Sequence, residues 1–374
     1  MRCALKKRCA LQCHYAPCTA IYYIVLALDI IFALLKIACG ITIFLMAIRV
    51  FSNALKTQFS KKLQPVFLRV SKNRFSALGL GAGATALMQS STATTVLTVG
   101  LVNAGFVSLF GATAIIMGAN VGTTLTSLLV SMSSFQIKYL FMAAGLIGLA
   151  VWINLAWVCG RQVAAPTDNA VCQKTKKLQK QKTIASLVAG FGFVFIGLEL
   201  LSQAFSSSSF LQDFFSSLFS SITFPLLLIL LGAVFTAVIQ SSSASMAIYI
   251  ALLASGVLPL SSAIFLLFGS EIGTCLTTLI ASLKTNVNAK RAALVHLLFN
   301  LISAIIFTAI FWPLGNLILP VYTRIIADPI WQLSIFQVFY NIITVAILIW
   351  FIKPLNAFVI KILPNKESET LLCP

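Results

Sequence analysis

Apolar stretches of about 20 residues, each long enough to cross a ~30 Å hydrocarbon core as a helix, recur at 22–35, 37–55, 139–158, 184–205, 292–311 and 331–352. No backbone amide can be left to water inside a bilayer, so runs of this length select α-helices. Two further regions, 77–132 and 223–283, are apolar but studded with Gly, Ser and Thr. With 59% hydrophobic and only 9% charged residues, against about a quarter charged in a soluble domain, the chain reads as an all-α polytopic protein of the plasma (inner) membrane, with the bilayer as its first partner.

The net charge of +18 does not point to nucleic acid, because Lys and Arg sit mainly in short loops between spans. That is the distribution that orients a membrane chain. Cys3, Cys9, Cys13 and Cys18 crowd the N-terminus beside His14 without zinc spacing, so residues 1–19 read as a basic tail. Cys39, Cys159 and Cys275 read as small apolar fillers. The basic start and the apolar run Ile21–Leu28 resemble a signal peptide, yet Asp29 and Lys36 interrupt the continuation of that run and no small-residue cleavage site is evident. It is expected to be a retained first helix.

The chain is duplicated. "QSSTAT" at Gln89 recurs as "QSSSAS" at Gln240, an offset of 151 that also pairs Gly81 with Gly232, Thr85 with Thr236, Gly118 with Gly269 and Thr123 with Thr274. An offset of 150 aligns the preceding helix, pairing Gly40 with Gly190 and Ser52 with Ser202.

Loop charges orient the two copies. Lys56, Lys61, Lys62, Arg69, Lys72 and Arg74 come after the first leading helix, whereas "SSSSFLQDFFSS" comes after the second with no cation. Beyond the next polar segment the bias reverses: Lys138 alone against Lys284, Lys290 and Arg291. Equivalent loops therefore face opposite sides, the pattern of inverted-topology repeats with a substrate site between them. That orientation needs an odd number of crossings between Arg74 and Lys138. Residues 77–100 are expected to be a broken or re-entrant pair of half-helices and 106–131 the single crossing. The expected organisation is 1–19 tail, 20–159 first repeat, 160–183 basic cytoplasmic linker including Lys174, Lys176, Lys177, Lys180 and Lys182, 184–312 second repeat, 313–352 final loop and helix, and 353–374 tail.

A helix that starts inside the membrane points free amides and about half a positive charge into the gap, which suits an anion. Ser and Thr hydroxyls add donors for phosphate-like oxygens. With backbone carbonyls and the amide oxygens of Gln89, Gln240 and Asn120, the same hydroxyls can ligand a small hard cation, so sodium plus an oxyanion is the pairing that fits. Helix packing explains Ser127, Ser131 or Ser282 well; it does not explain a six-residue polar order kept twice. Charges at membrane depth are functional candidates by default. Arg49 reads as a snorkelling helix-end side chain, and Glu199 is its counterpart. Glu271 in "FGSEIGTC" stands where the first copy has Asn120, and a carboxylate there can ligand a cation or carry a proton. His296 reads as a packing contact. A membrane-embedded serine hydrolase would need a base, and only His14 and His296 exist, with no Gly-x-Ser-x-Gly elbow.

Paired "QSS(S/T)A(T/S)" segments, each with "G(A/S)(N/E)(V/I)GT" about 30 residues further on, and "AALVHLLFN" after the second, resemble the sodium-dependent phosphate cotransporter family (type II and its bacterial relatives) over about 40–300. The resemblance implies a transporter, not an enzyme, without cofactor, moving inorganic phosphate with sodium by alternating access. It implies phosphate contacts at Gln89, Ser90, Ser91, Thr92, Gln240, Ser241, Ser242 and Ser243. Coupling-ion contacts are implied at Thr94, Thr95, Asn120, Thr123, Thr124, Ser245, Glu271 and Thr274. Thr92 replaces the family's commoner Ser and keeps the hydroxyl. Glu271 replaces its usual Asn, which leaves sodium against protons open. Many bacterial relatives append a soluble PhoU-like domain, which this sequence stops short of. Phosphate export, another oxyanion and a homo-oligomer remain open, and the phosphate site is expected to lack a strong fixed positive charge.

Overall fold

The computed structural model describes residues 16–70, 73–161, 169–222 and 224–364; the N-terminal Cys3, Cys9, Cys13 and His14 lie outside them, as does the side chain of Cys18. Thirteen α-helices in these segments account for nearly all of the described backbone: α1 (Ala16–Val70), α2 (Arg74–Met88), α3 (Ser91–Asn103), α4 (Leu109–Ser131), α5 (Lys138–Arg161), α6 (Asn169–Ser207), α7 (Ser209–Ser221), α8 (Pro225–Ile239), α9 (Ser242–Ala254), α10 (Leu260–Ser282), α11 (Val287–Ile325), α12 (Pro329–Leu348) and α13 (Ile352–Ile362). Seven helical segments among them are long and apolar enough to cross a membrane. The chain is a multi-pass integral membrane protein.

Several boundaries differ from the sequence expectation: the basic stretch from Lys56, expected as a loop, is helical through Val70 of α1, α11 runs on to Ile325 where the final loop was expected from 313, and α13 reaches Ile362 inside the expected 353–374 tail. The stretches 22–35 and 37–55 are one helix, α1, because Lys36 is a good helix former whose stem lets its charge leave the apolar face. The basic linker is helical from Asn169, so α6 starts inside it. "SSSSFLQDFFSS" is helical but for Ser208, closing α6 and opening α7, and is not a loop. Its Ser content hides a helical period in which Leu211 is buried and Phe215 packs against Phe205 of α6 with ring centroids 5.7 Å apart.

The duplication reappears as repeated local structure. α2 ends on Gln89 and α8 on Gln240, both in the left-handed region (φ 49° and 60°), and each is succeeded by an extended Ser that caps the next helix. Ser90 Oγ accepts from the Ala93 amide at 3.2 Å and Ser241 Oγ from the Ala244 amide at 3.3 Å. The chain turns back at both breaks. Thr85 and Thr94 hydroxyls, flanking the first, are 2.9 Å apart, and Thr236 and Ser245, flanking the second, 2.8 Å. With 15 and 13 residues per arm, about 20 Å each, neither arm alone spans a ~30 Å core.

Each hairpin is clamped by glycine to the long helix next in the chain. A Cβ on Gly118 of α4 would strike the Leu78 carbonyl of α2, and one on Gly269 of α10 would strike the Ile229 carbonyl of α8, the same contact 151 residues on. Small residues at such crossings let helix backbones touch where lipid supplies no hydrophobic drive. The same logic joins the leading helices, with Gly197 of α6 against Phe44 of α1 and Gly190 against Phe51. Among the helices long enough to span a membrane, α4 and α10 are the most enclosed, with Ile115, Ile116, Met117, Leu267 and Phe268 fully or almost fully buried. Leu227, Leu230, Val234 and Val238 of α8 are exposed on one side, the face a lipid-bathed helix presents.

Candidate functional site

Both hairpin tips open into one cavity of about 220 Å³. Gln89, Ser90, Ser91 and Thr92 line it from the first copy and Gln240, Ser241, Ser242 and Ser243 from the second. All eight residues expected to contact phosphate are thus brought together, although 151 residues separate the two sets. The N-terminal ends of α3 and α9 meet here, so the donors and partial positive charge of two helix starts converge on one space. The tips are not equivalent. Gln89 is buried: its Nε2 donates to the Ala86 carbonyl at 2.6 Å while Oε1 has no partner among the described residues, whereas Gln240 is exposed.

One wall was not foreseen. Arg49, Ser52, Asn53 and Lys56 of α1 line the cavity, and Ser52 Oγ donates to the Met88 carbonyl at 3.3 Å, fastening α1 to the first tip. The expectation of a site free of fixed positive charge is therefore corrected. Arg49 does lie exposed, but it is not at a helix end as expected: it sits inside α1, which continues to Val70, and lines the cavity. Its spacing to Ser52 and Lys56 puts all three on one helical face, a signal available in the sequence.

The expected coupling-ion residues lie outside this lining and occupy several buried hydrogen-bonded groups. Thr94 meets Thr85, and Ser245 meets Thr236, which also donates to Ser270 at 2.9 Å. Thr123, Thr124 and Thr274 hydroxyls bond to carbonyls of their own helices at Ala119, Val121 and Ser270. Asn120 Nδ2 donates to Asn300 Oδ1 of α11 at 2.7 Å, and Asn300 Nδ2 to Cys275 Sγ at 3.1 Å. Glu271, 2% exposed, accepts from Gln337 Nε2 of α12 at 2.9 Å, and Gln337 Oε1 accepts from Ser127 of α4. Thr95 meets Thr278 at 3.1 Å, which in turn meets His296 Nδ1 at 3.1 Å. His296 therefore packs against Thr278 and not against the tip serines. No Lys or Arg pairs with Glu271 among the described residues. Asn300, Gln337 and Ser127 were missed as partners: Asn300 closes the "AALVHLLFN" segment but has no polar partner near it in the chain, Gln337 lies beyond the second repeat, and Ser127 reads as an ordinary packing serine.

A profile of the Na+/Pi-cotransporter family matches residues 43–203 and 207–319. The chain belongs to the Na+/Pi-cotransporter family. It is a family of transporters and not of enzymes. Among curated relatives, YjbB of Escherichia coli (strain K12), named provisionally as an inorganic phosphate export protein, is 28% identical over 328 residues, covering 84% of this chain and 53% of its own length. An uncharacterized Bacillus subtilis protein, YqeW, is 23% identical over 83% of this chain and 92% of its own length. Sodium-dependent phosphate transport protein 2A of Rattus norvegicus is 32% identical over 143 residues, 36% of this chain and 22% of its own length. The chain spans about half the length of YjbB. No solved structure matches.

Proposed function

We propose that this protein is a secondary transporter of inorganic phosphate, coupled to sodium and working by alternating access between two inverted repeats. The observation that carries this reading is the shared cavity: two hairpin tips from the duplicated segments, each presenting serine hydroxyls and a helix start, line one space. Such a surface offers many neutral donors to a tetrahedral oxyanion and excludes little else on size. In this reading Glu271, Asn120 and the hydroxyls behind the tips form the coupling-ion layer, and Glu271 selects between sodium and protons.

Export is a second reading, favoured by a specific observation. Arg49 and Lys56 sit on the part of α1 that leads into the cation-rich stretch beginning at Lys56, helical through Val70, the side assigned to the cytoplasm by its charge. A cavity open and basic on that side loads phosphate from within, in keeping with the name of YjbB.

The test is radiolabelled phosphate flux in proteoliposomes with sodium and pH gradients imposed separately, for the wild type and Glu271→Asn. Sodium-stimulated flux is expected, and no stimulation by sodium in either protein would remove sodium coupling. A proton-driven wild type turned sodium-dependent by Glu271→Asn would assign ion choice to that carboxylate.

A further inference from the structure

The leading helices α1 and α6 are copies at an offset of 150, and each lines a cavity with the same positions. Leu45, Ile48, Arg49 and Ser52 of α1 face the large cavity at the tips. Phe195, Leu198, Glu199 and Ser202 of α6 face a smaller one of about 50 Å³. The small cavity also borders Ala251 and Ala254 near the end of α9, whereas the large one borders its first residues. The two spaces therefore lie toward opposite ends of a helix about 20 Å long. Lys138 shares the small cavity and closes on Glu199 at 2.8 Å, with Gln203 Nε2 donating to the same carboxylate at 2.8 Å.

The duplicated position has thus diverged in sign. In the first copy Arg49 and, seven residues on, Lys56 leave two cations on the face that meets the tips. In the second, Glu199 and Ser206 stand at those places, and the acid is neutralised by Lys138. No hydrogen bond or ion pair engages Arg49 among the described residues, so its guanidinium is available to an anion in the cavity. From this opposition of charge we infer that Arg49, seconded by Lys56, is the anion-capturing and affinity-setting residue of the phosphate site, and that it gives the carrier a polarity: phosphate binds more tightly when it enters along α1 than along α6. The inference rests on the phosphate-transport reading. Its physical basis is electrostatics at short range, since a cation across a few ångströms of partly wet protein acts on a doubly charged anion twice as strongly as on a single charge. The same basis limits the effect to the conformation in which the α1 face lines the open space.

The experiment compares phosphate uptake into everted and right-side-out membrane vesicles made from cells producing the full chain, with vector-only vesicles subtracted. For Arg49→Gln, KM for phosphate at the face bearing the cation-rich end of α1 should rise about tenfold, with KM at the opposite face changed less than about twofold. Arg49→Lys should recover most of the affinity, and added inert salt should raise the wild-type KM at that face more than it raises the KM of Arg49→Gln. If Arg49→Gln is not recovered in the membrane, Lys56→Gln should raise KM by about threefold at that face alone. Equal KM changes at both faces, a fall in Vmax at unchanged KM, or salt effects identical in wild type and variant would overturn the inference while leaving phosphate transport standing. Absence of phosphate flux in the wild type at either face would overturn the transport reading and this inference with it.

Discussion

The first and second hairpins share a backbone although most of their side chains differ, and the division between what was kept and what diverged separates folding from chemistry. Left-handed Gln89 and Gln240, capping Ser90 and Ser241, and the clamping Gly118 and Gly269 are all kept. They decide where a helix stops, how the next begins and how closely it packs. The pairs Arg49 and Glu199, and Asn120 and Glu271, are not kept. They sit at a cavity wall or in a buried polar layer, where a change of charge alters what can be bound without moving the backbone.

The largest effect should come from breaking what the copies share. Gly118→Val and Gly269→Val each force a side chain into a facing carbonyl, so each should cost about 3 kcal/mol or more and lower the thermal midpoint in detergent by similar amounts. A loss confined to one copy would show that the hairpins are not equivalent in the fold. Next in size, Glu271→Leu leaves the Gln337 amide without its acceptor and should cost about 2 kcal/mol, whereas Glu271→Gln keeps an acceptor and should cost clearly less. Equal losses in the two variants would point to the charge itself as structural. Removing a cap, Ser90→Ala or Ser241→Ala, should cost about 1 kcal/mol in either copy, read from the same melts. The smallest change should be Gln240→Gly, which removes the exposed side chain from a left-handed position that glycine adopts freely. Its stability should stay level or rise by under about 1 kcal/mol while phosphate affinity falls.

Much of this architecture could be read from residues because the features that repeat are those a helix break requires. A cap serine, a polar residue where α2 and α8 end, and glycines at close crossings have to recur wherever the same bend recurs, so the offset of 151 exposed both hairpins. The convergence of the eight tip residues was likewise anticipated. α7 was hidden because its serines look like a linker until the spacing of Leu211 and Phe215 is seen. Arg49 was hidden because a lone cation expected near a helix end has an inexpensive solution in snorkelling, and only the fold reveals that α1 continues to Val70 and carries Arg49 past the tips. Asn300 and Gln337 were hidden because hydrogen-bond partners across 180 and 66 residues leave no trace in local spacing.

The central claim is that two tips make one phosphate site. Equilibrium binding of radiolabelled phosphate to the purified protein, as wild type, Ser91→Ala, Ser242→Ala and the double variant, tests it directly. One phosphate per chain is expected, with either single change weakening all of the binding. Two phosphates per chain, or a single change that halves the stoichiometry and leaves the remaining affinity intact, would contradict it.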